Sequence, residues 1–185
     1  MLETEKHGGI TMVHCEDECI IDYNIRKLYA AGRPEFWNIG EARPPLAEEA
    51  AVRRMLLLSK RTGSPLYIVH VSGKDSVEAI TQARAEGVEV FAETLHPNLL
   101  FDPSLYEQEN GQRYMNYPPN KTIEHRNELW AACADGRIHT LASDDFTIPL
   151  DRKLAGDTVD NVTGGTNSVK TRMSIFCSEG VGKRN

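Results

Sequence analysis

Apolar residues fall into short continuous runs separated by longer amphipathic stretches. The first run is "GITMVH" (9–14). The first amphipathic stretch, "PPLAEEAAVRRMLLLSKRTG" (44–63), has Pro at its start, acids in its first turn, bases in its last and Gly at its end. These are helix start and stop signals. "PLYIVHVS" (65–72) is β-branched and aromatic, as a strand is, and "KDSVEAITQARAEG" (74–87) repeats apolar residues at Val77, Ile80, Ala83 and Ala85 before Gly87. "VEVFAET" (88–94) predicts a third strand, "KTIEHRNELWAACADG" (121–136) a helix, and "RIHTLASD" (137–144) a fourth strand. Near-continuous apolar strands alternating with helices predict an α/β fold, with a parallel sheet covered on its faces.

Composition narrows the class. With 185 residues, 40% hydrophobic and 26% charged, the chain supports one sizeable core, so residues 1–185 are expected to form a single unit. A net charge of −6 with no basic stripe argues against nucleic acid as a partner. No apolar run approaches the roughly 18 residues of a membrane helix, and "MLETEKHGG" lacks the features of a signal peptide, so a cytoplasmic protein with no membrane partner is expected. Cys15, Cys19, Cys133 and Cys177 are too few and too scattered for a disulfide framework and are expected as reduced thiols.

The strand ends carry the chemistry. The first run ends at His14, the second reaches His70 and the fourth ends at Asp144, which places three metal-capable side chains at the carboxyl ends of parallel strands. Catalytic groups of a (β/α) barrel gather at that face. Each residue alone has a plainer reading, a hydrogen-bonded rim histidine or an Asp capping a turn. Two imidazoles and a carboxylate converging on one rim suit zinc or a similar divalent ion.

"VHCED", "YIVHVSGKDSVEAI", "FAETLHPNLLFD", "YMNYPPNKTIEHRNELW" and "LASDD" together resemble the hydantoinase and dihydropyrimidinase group of the amidohydrolase superfamily, over almost the whole chain. The resemblance implies a TIM (β/α)8 barrel, of which about four βα units are present, and a site of two zinc ions that opens the cyclic amide of a hydantoin or dihydropyrimidine. On that likeness His14 and His70 hold one metal, while Asp144 binds the other and shuttles a proton to the leaving nitrogen. It also implies a small cyclic amide or ureide as substrate and a homo-oligomer, a homotetramer in the family. The His-x-His pair and the carboxylated lysine that bridges the metals in the family lie upstream of anything present here, and the family's small β domain is missing. The chain therefore reads as a fragment, expected to be inactive alone and to self-associate. A non-catalytic scaffold relative, an allantoinase and a dihydroorotase are the alternative readings.

Departures from the family pattern bear on the pocket. Tyr117 in "MNYPP" stands where many relatives have Ser; it either reaches the substrate or packs in its loop. Gly164 and Gly165, in the 160–173 loop, allow close backbone approach to a substrate or form a plain turn. Asp145 stands where relatives carry His and is expected to hold the loop or a neighbouring base. His96 lies outside the expected ligand set. His7, His125 and His139 read as helix-end, helix-surface and strand residues, and Trp130 and Leu56 to Leu58 read as core.

Overall fold

The computed structural model describes residues 1–184. Its elements run α1 (Leu2–Lys6), β1 (Thr11–Val13), α2 (Glu18–Ala30), α3 (Ile39–Ala42), α4 (Pro45–Thr62), β2 (Leu66–Ile68), α5 (Lys74–Ala85), β3 (Val90–Leu95), α6 (His96–Leu100), α7 (Ile123–Ala134), β4 (Thr140–Ala142) and α8 (Leu150–Lys153), with short helical turns beyond residue 171. The predicted alternation of strand and helix is present. The four strands pair in parallel in the order β1-β2-β3-β4, with Thr11 opposite Leu66, Leu66 opposite Val90 and Glu93 opposite Thr140.

Local chemistry sets the helix limits. Pro45 opens α4, and Gly63 closes it at φ 73°, the left-handed conformation that favours glycine. The Asp17 side chain accepts from the backbone N–H groups of Cys19 and Ile20 at the start of α2. No helix was expected there. Its buried residues Ile21 and Leu28 stand a full two turns apart, and Tyr23 and Tyr29 face solvent, so the apolar stripe is too thin to show in the sequence.

The sheet is packed on one face, which corrects the expectation of two covered faces. Leu66, Ile68, Val90 and Ala92 are buried in one core with Val52 and Leu56 of α4, Val77 and Ile80 of α5, and Leu129 and Trp130 of α7. Their neighbours Tyr67 and Phe91, on the other face, are only half-buried, and Met12, in register with Tyr67, is 67% exposed. An alternation of this kind belongs to a barrel wall, whose inner side is lined by side chains from around the ring. A second core of Leu28, Phe36, Ile39, Tyr106, Met115, Val159 and Val162 binds α2 and α3 to the loops beyond β3 and β4.

Two other expectations change. His125 is buried rather than on the helix surface: its Nδ1 accepts from the backbone N–H of Lys74 at 3.0 Å, capping α5 from α7. Leu56 is core, but Leu57 and Leu58 face outward. All four cysteines are free thiols, and burial pushes Cys15 up to about 12 and Cys133 up to about 11. Among the described residues no helix is long and apolar enough to cross a membrane.

Candidate active-site rim

His14 and His70 follow the carboxyl ends of β1 and β2, which are adjacent in the sheet. Their rings meet: His14 Nδ1 lies 2.9 Å from His70 Nε2, with ring centroids 4.7 Å apart in a T-shaped arrangement. His70 takes a left-handed backbone at φ 42°, which turns the chain out of the strand. The residue that follows is fastened to β3 at both its backbone groups: the Val71 N–H donates to Glu93 O at 2.7 Å, and the Thr94 hydroxyl donates to Val71 O at 2.7 Å. Burial, and then the neighbouring His14, hold the His70 imidazole below the ordinary histidine range, so it is neutral near pH 7 and keeps a free lone pair.

The outer side of His14 meets a carboxylate. Its Nε2 lies 3.3 Å from Glu16, which is itself paired with Arg43 at 2.6 Å. The Arg43 guanidinium then sits 4.2 Å from the centroid of the Tyr117 ring, a cation–π contact. Glu16 and Arg43 thus join the first histidine to the loop that carries Tyr117. Nothing in the sequence marked them, because they belong to different connections, 27 positions apart.

Asp144 follows β4, also in a left-handed conformation, at φ 47°. Its charge favours protonation of the His70 ring, against the larger effects of burial and of His14. Its side chain is exposed and lines a cavity of about 280 Å3 with Asn116, Tyr117, Asp145, Phe146, Gly164 and Gly165. Asp144, Tyr117 and Gly164, assigned to one site from sequence, therefore border one pocket, whereas the two histidines do not line it. Among the described residues no group of three or more His, Cys, Asp and Glu side chains comes within metal-binding reach. The donors that do meet are Nδ1 of His14 and Nε2 of His70. Neutral imidazoles suit a borderline ion such as zinc, and two of them supply part of the three protein ligands a catalytic zinc site uses.

The pocket walls are anchored through backbone. The Tyr117 hydroxyl donates to Val162 O at 2.7 Å, so it is committed to the opposite loop. Gly164 packs directly on the Tyr117 ring, where any side chain would collide. Lys153, 5% exposed, donates through Nζ to Met115 O at 2.7 Å and Thr163 O at 2.6 Å, tying both walls together from below. Asp145 accepts from the N–H groups of Ser168 and Val169 at 2.6 and 3.1 Å and so holds the loop behind the pocket. His96 is 2% exposed beneath β4, its Nδ1 3.5 Å from Ala142 O, and takes no part in the pocket.

A parallel sheet of four βα units with a His–His pair and a carboxylate on its carboxyl-terminal rim defines a segment of a (β/α)-barrel. The chain is a homologue, along nearly its whole length, of the D-hydantoinases and dihydropyrimidinases. It is 34% identical over 187 residues to a D-hydantoinase of Geobacillus stearothermophilus, covering 99% of this chain and 40% of that protein. It is 32% identical over 180 residues to a D-phenylhydantoinase of Escherichia coli (strain SE11), covering 94% of this chain and 38% of the relative. The fold superposes on a dihydropyrimidinase from Brevibacillus agri with a TM-score of 0.93 at 31% identity, covering 99% of this chain and 41% of that structure. The chain thus spans about 40% of the length of the curated relatives it matches. No family model matches it.

Proposed function

We propose that this chain supplies part of the active-site rim of a metal-dependent cyclic amidohydrolase acting on a hydantoin, a dihydropyrimidine or a related cyclic ureide. The observation that carries the reading is the His14–His70 contact at the carboxyl ends of adjacent strands, with Asp144 at the edge of a pocket on the same rim. Similarity to D-hydantoinases over the whole chain supports the same reaction class.

In this reading residues 1–185 act as one barrel unit, and His14 and His70 hold one divalent ion, zinc by the chemistry of the donors, through Nδ1 and Nε2. Such an ion lowers the pKa of bound water from 15.7 to about 7 and so supplies a nucleophile at neutral pH. The chain's own residues do the rest. Asp144, exposed at the pocket edge, carries the proton from the attacking water to the leaving ring nitrogen. Tyr117 and Gly164 shape the wall against which a flat ring lies, and the backbone of Gly164 and Gly165, which line the same pocket, meets its amide edges. The Glu16–Arg43 pair fixes the outer face of His14.

The test is Asp144→Asn in the complete enzyme of which this reading makes the chain a part, assayed for ring opening of hydantoin and dihydrouracil by loss of their ultraviolet absorbance. General acid–base catalysis contributes at least roughly 10² in rate, so kcat should fall by that factor with the fold retained. Near-normal turnover would remove Asp144 from the role. Absence of turnover and of zinc uptake in that complete, unsubstituted enzyme would favour the non-catalytic scaffold reading.

A further inference from the structure

The first turn of α4 touches both histidine-bearing loops. On one side the backbone N–H of Asp17 donates to Ala47 O at 2.9 Å, which fixes the loop leaving His14. On the other side Glu48, 2% exposed, accepts from the N–H of Ser72 at 3.1 Å, the N–H of Gly73 at 2.9 Å and the hydroxyl of Ser72. Those groups open α5 immediately after His70, and the helix has no capping side chain of its own. Lys121, 8% exposed, completes the arrangement by donating to Glu48 at 2.9 Å and to the Ser72 hydroxyl. Lys121 lies four residues beyond Tyr117, so the same ion pair also fastens the far end of that loop.

A carboxylate this deep is expensive to bury unless its oxygens are fully bonded, and here they are. Two neutral side chains of similar volume would fill the space at comparable stability. What they could not do is accept simultaneously from two successive N–H groups and a hydroxyl. Glu48 also faces both Cys15, next to His14, and His70 closely enough for its charge to act on each. The placement suits a bracket that sets one loop against another.

We infer that Glu48, held by Lys121, is the positioning residue that fixes the His70 imidazole against His14. This rests on the proposed metal reading only for its effect on metal uptake; the ring geometry itself needs no metal. His70 has strained left-handed backbone at φ 42° directly before the bracketed residues, so slack at Ser72 and Gly73 is taken up there. Loss of a supporting residue behind a metal ligand typically costs 10- to 100-fold in affinity.

The experiment compares Glu48→Gln, Lys121→Met and Lys121→Arg in the full chain by two readouts. Imidazole 15N signals of the metal-free protein report the tautomer fixed by the His14–His70 contact, and titration with zinc alone, against a chromophoric chelator, reports affinity. In Glu48→Gln and Lys121→Met the His70 signals should collapse toward a tautomer average and zinc should bind about tenfold more weakly, while Lys121→Arg, which keeps the ion pair, should behave as the unsubstituted protein. In a His70→Ala background Glu48→Gln should cost nothing further, because it acts through the missing ring. A folded Glu48→Gln protein with unchanged His70 signals and zinc affinity overturns the inference, as do additive losses in the two backgrounds. If both variants fail to fold, Ser72→Ala, which deletes only the bridging hydroxyl, must shift the His70 signals in the same direction, and no shift overturns the inference. If the unsubstituted chain, which holds two of the ligands, takes up no zinc, the ring signals decide the positioning role by themselves, and unchanged His70 signals in Glu48→Gln overturn it.

Discussion

Lys153 permits the most direct test of the pocket's construction. Its ammonium is nearly inaccessible and has two backbone carbonyls, Met115 O and Thr163 O, as hydrogen-bond acceptors, with no carboxylate among them. Burial pushes its pKa from 10.5 down to about 8. Between those values the unfolded chain keeps a proton that the folded chain has released, so stability gained relative to a variant lacking the amine rises with pH across the interval and is flat outside it. Each pH unit is worth about 1.4 kcal/mol, which amounts to about 3 kcal/mol over the interval. The assay is urea denaturation of the protein and of Lys153→Met at steps from pH 7 to 11, taking the difference so that other titrating groups cancel. The difference should climb in favour of the lysine above about pH 8 and level off near 10.5. A flat difference, or an Nζ resonance that titrates near 10.5, would refute the buried-ammonium argument and leave the carbonyl contacts as ordinary surface hydrogen bonds.

Two further outcomes test the site and its scaffold. A Cβ at position 164 would lie 2.7 Å from Cε2 of Tyr117, whose hydroxyl is anchored to Val162 O, so Gly164→Ala must push the two walls apart; it should cost about 1–3 kcal/mol in chemical denaturation and, in the complete enzyme of the proposed reading, raise KM for hydantoin more than it lowers kcat. Leu66, fully buried in β2 between β1 and β3, should lose about 2–5 kcal/mol on Leu66→Ala, with the His14–His70 ring signals retained if the rim is held by its own loops.

The sequence carried the periodic part of this architecture. α4 is legible because Pro45 and Gly63 bracket an amphipathic stretch, and His14, His70 and Asp144 are legible because each stands where an apolar run stops. The fixings of those residues were not legible. Glu48 and Lys121 are 73 positions apart, and an acid in the first turn of a helix ordinarily faces water and complements the dipole. One signal was available: Glu48, Ala51, Val52 and Leu56 fall at helical spacing on one buried stripe, so the carboxylate lies in phase with the core. Arg43, Glu16 and Lys153 gave no such signal, since each sits in or beside a loop whose path depends on the second core. His125 misled for the complementary reason: its helix has little amphipathic contrast, so the buried face could not be told from the exposed one.

The edges of the sheet set the behaviour of the 185-residue polypeptide by itself. Among the described residues β1 pairs only with β2 and β4 only with β3, so each presents one side of its backbone without a strand partner. Beyond β4 the gap is partly covered, because Asp145 bridges to Thr166 and the Phe146 N–H donates to Thr166 O at 3.1 Å. Among the described residues the β1 side has no equivalent, and Met12 and Ile10 stand 67% and 44% exposed along it. A short apolar edge of this kind pairs with whatever strand approaches, and closure into a barrel is the arrangement that removes it. The isolated polypeptide is therefore expected to associate through β1, giving a concentration-dependent mass in sedimentation, whereas Met12→Lys places a charge on that edge and should shift the distribution toward monomer. Unchanged association in Met12→Lys would show that the contact lies elsewhere, and a monodisperse monomer of the unsubstituted chain would show that the edge is protected by its brevity alone.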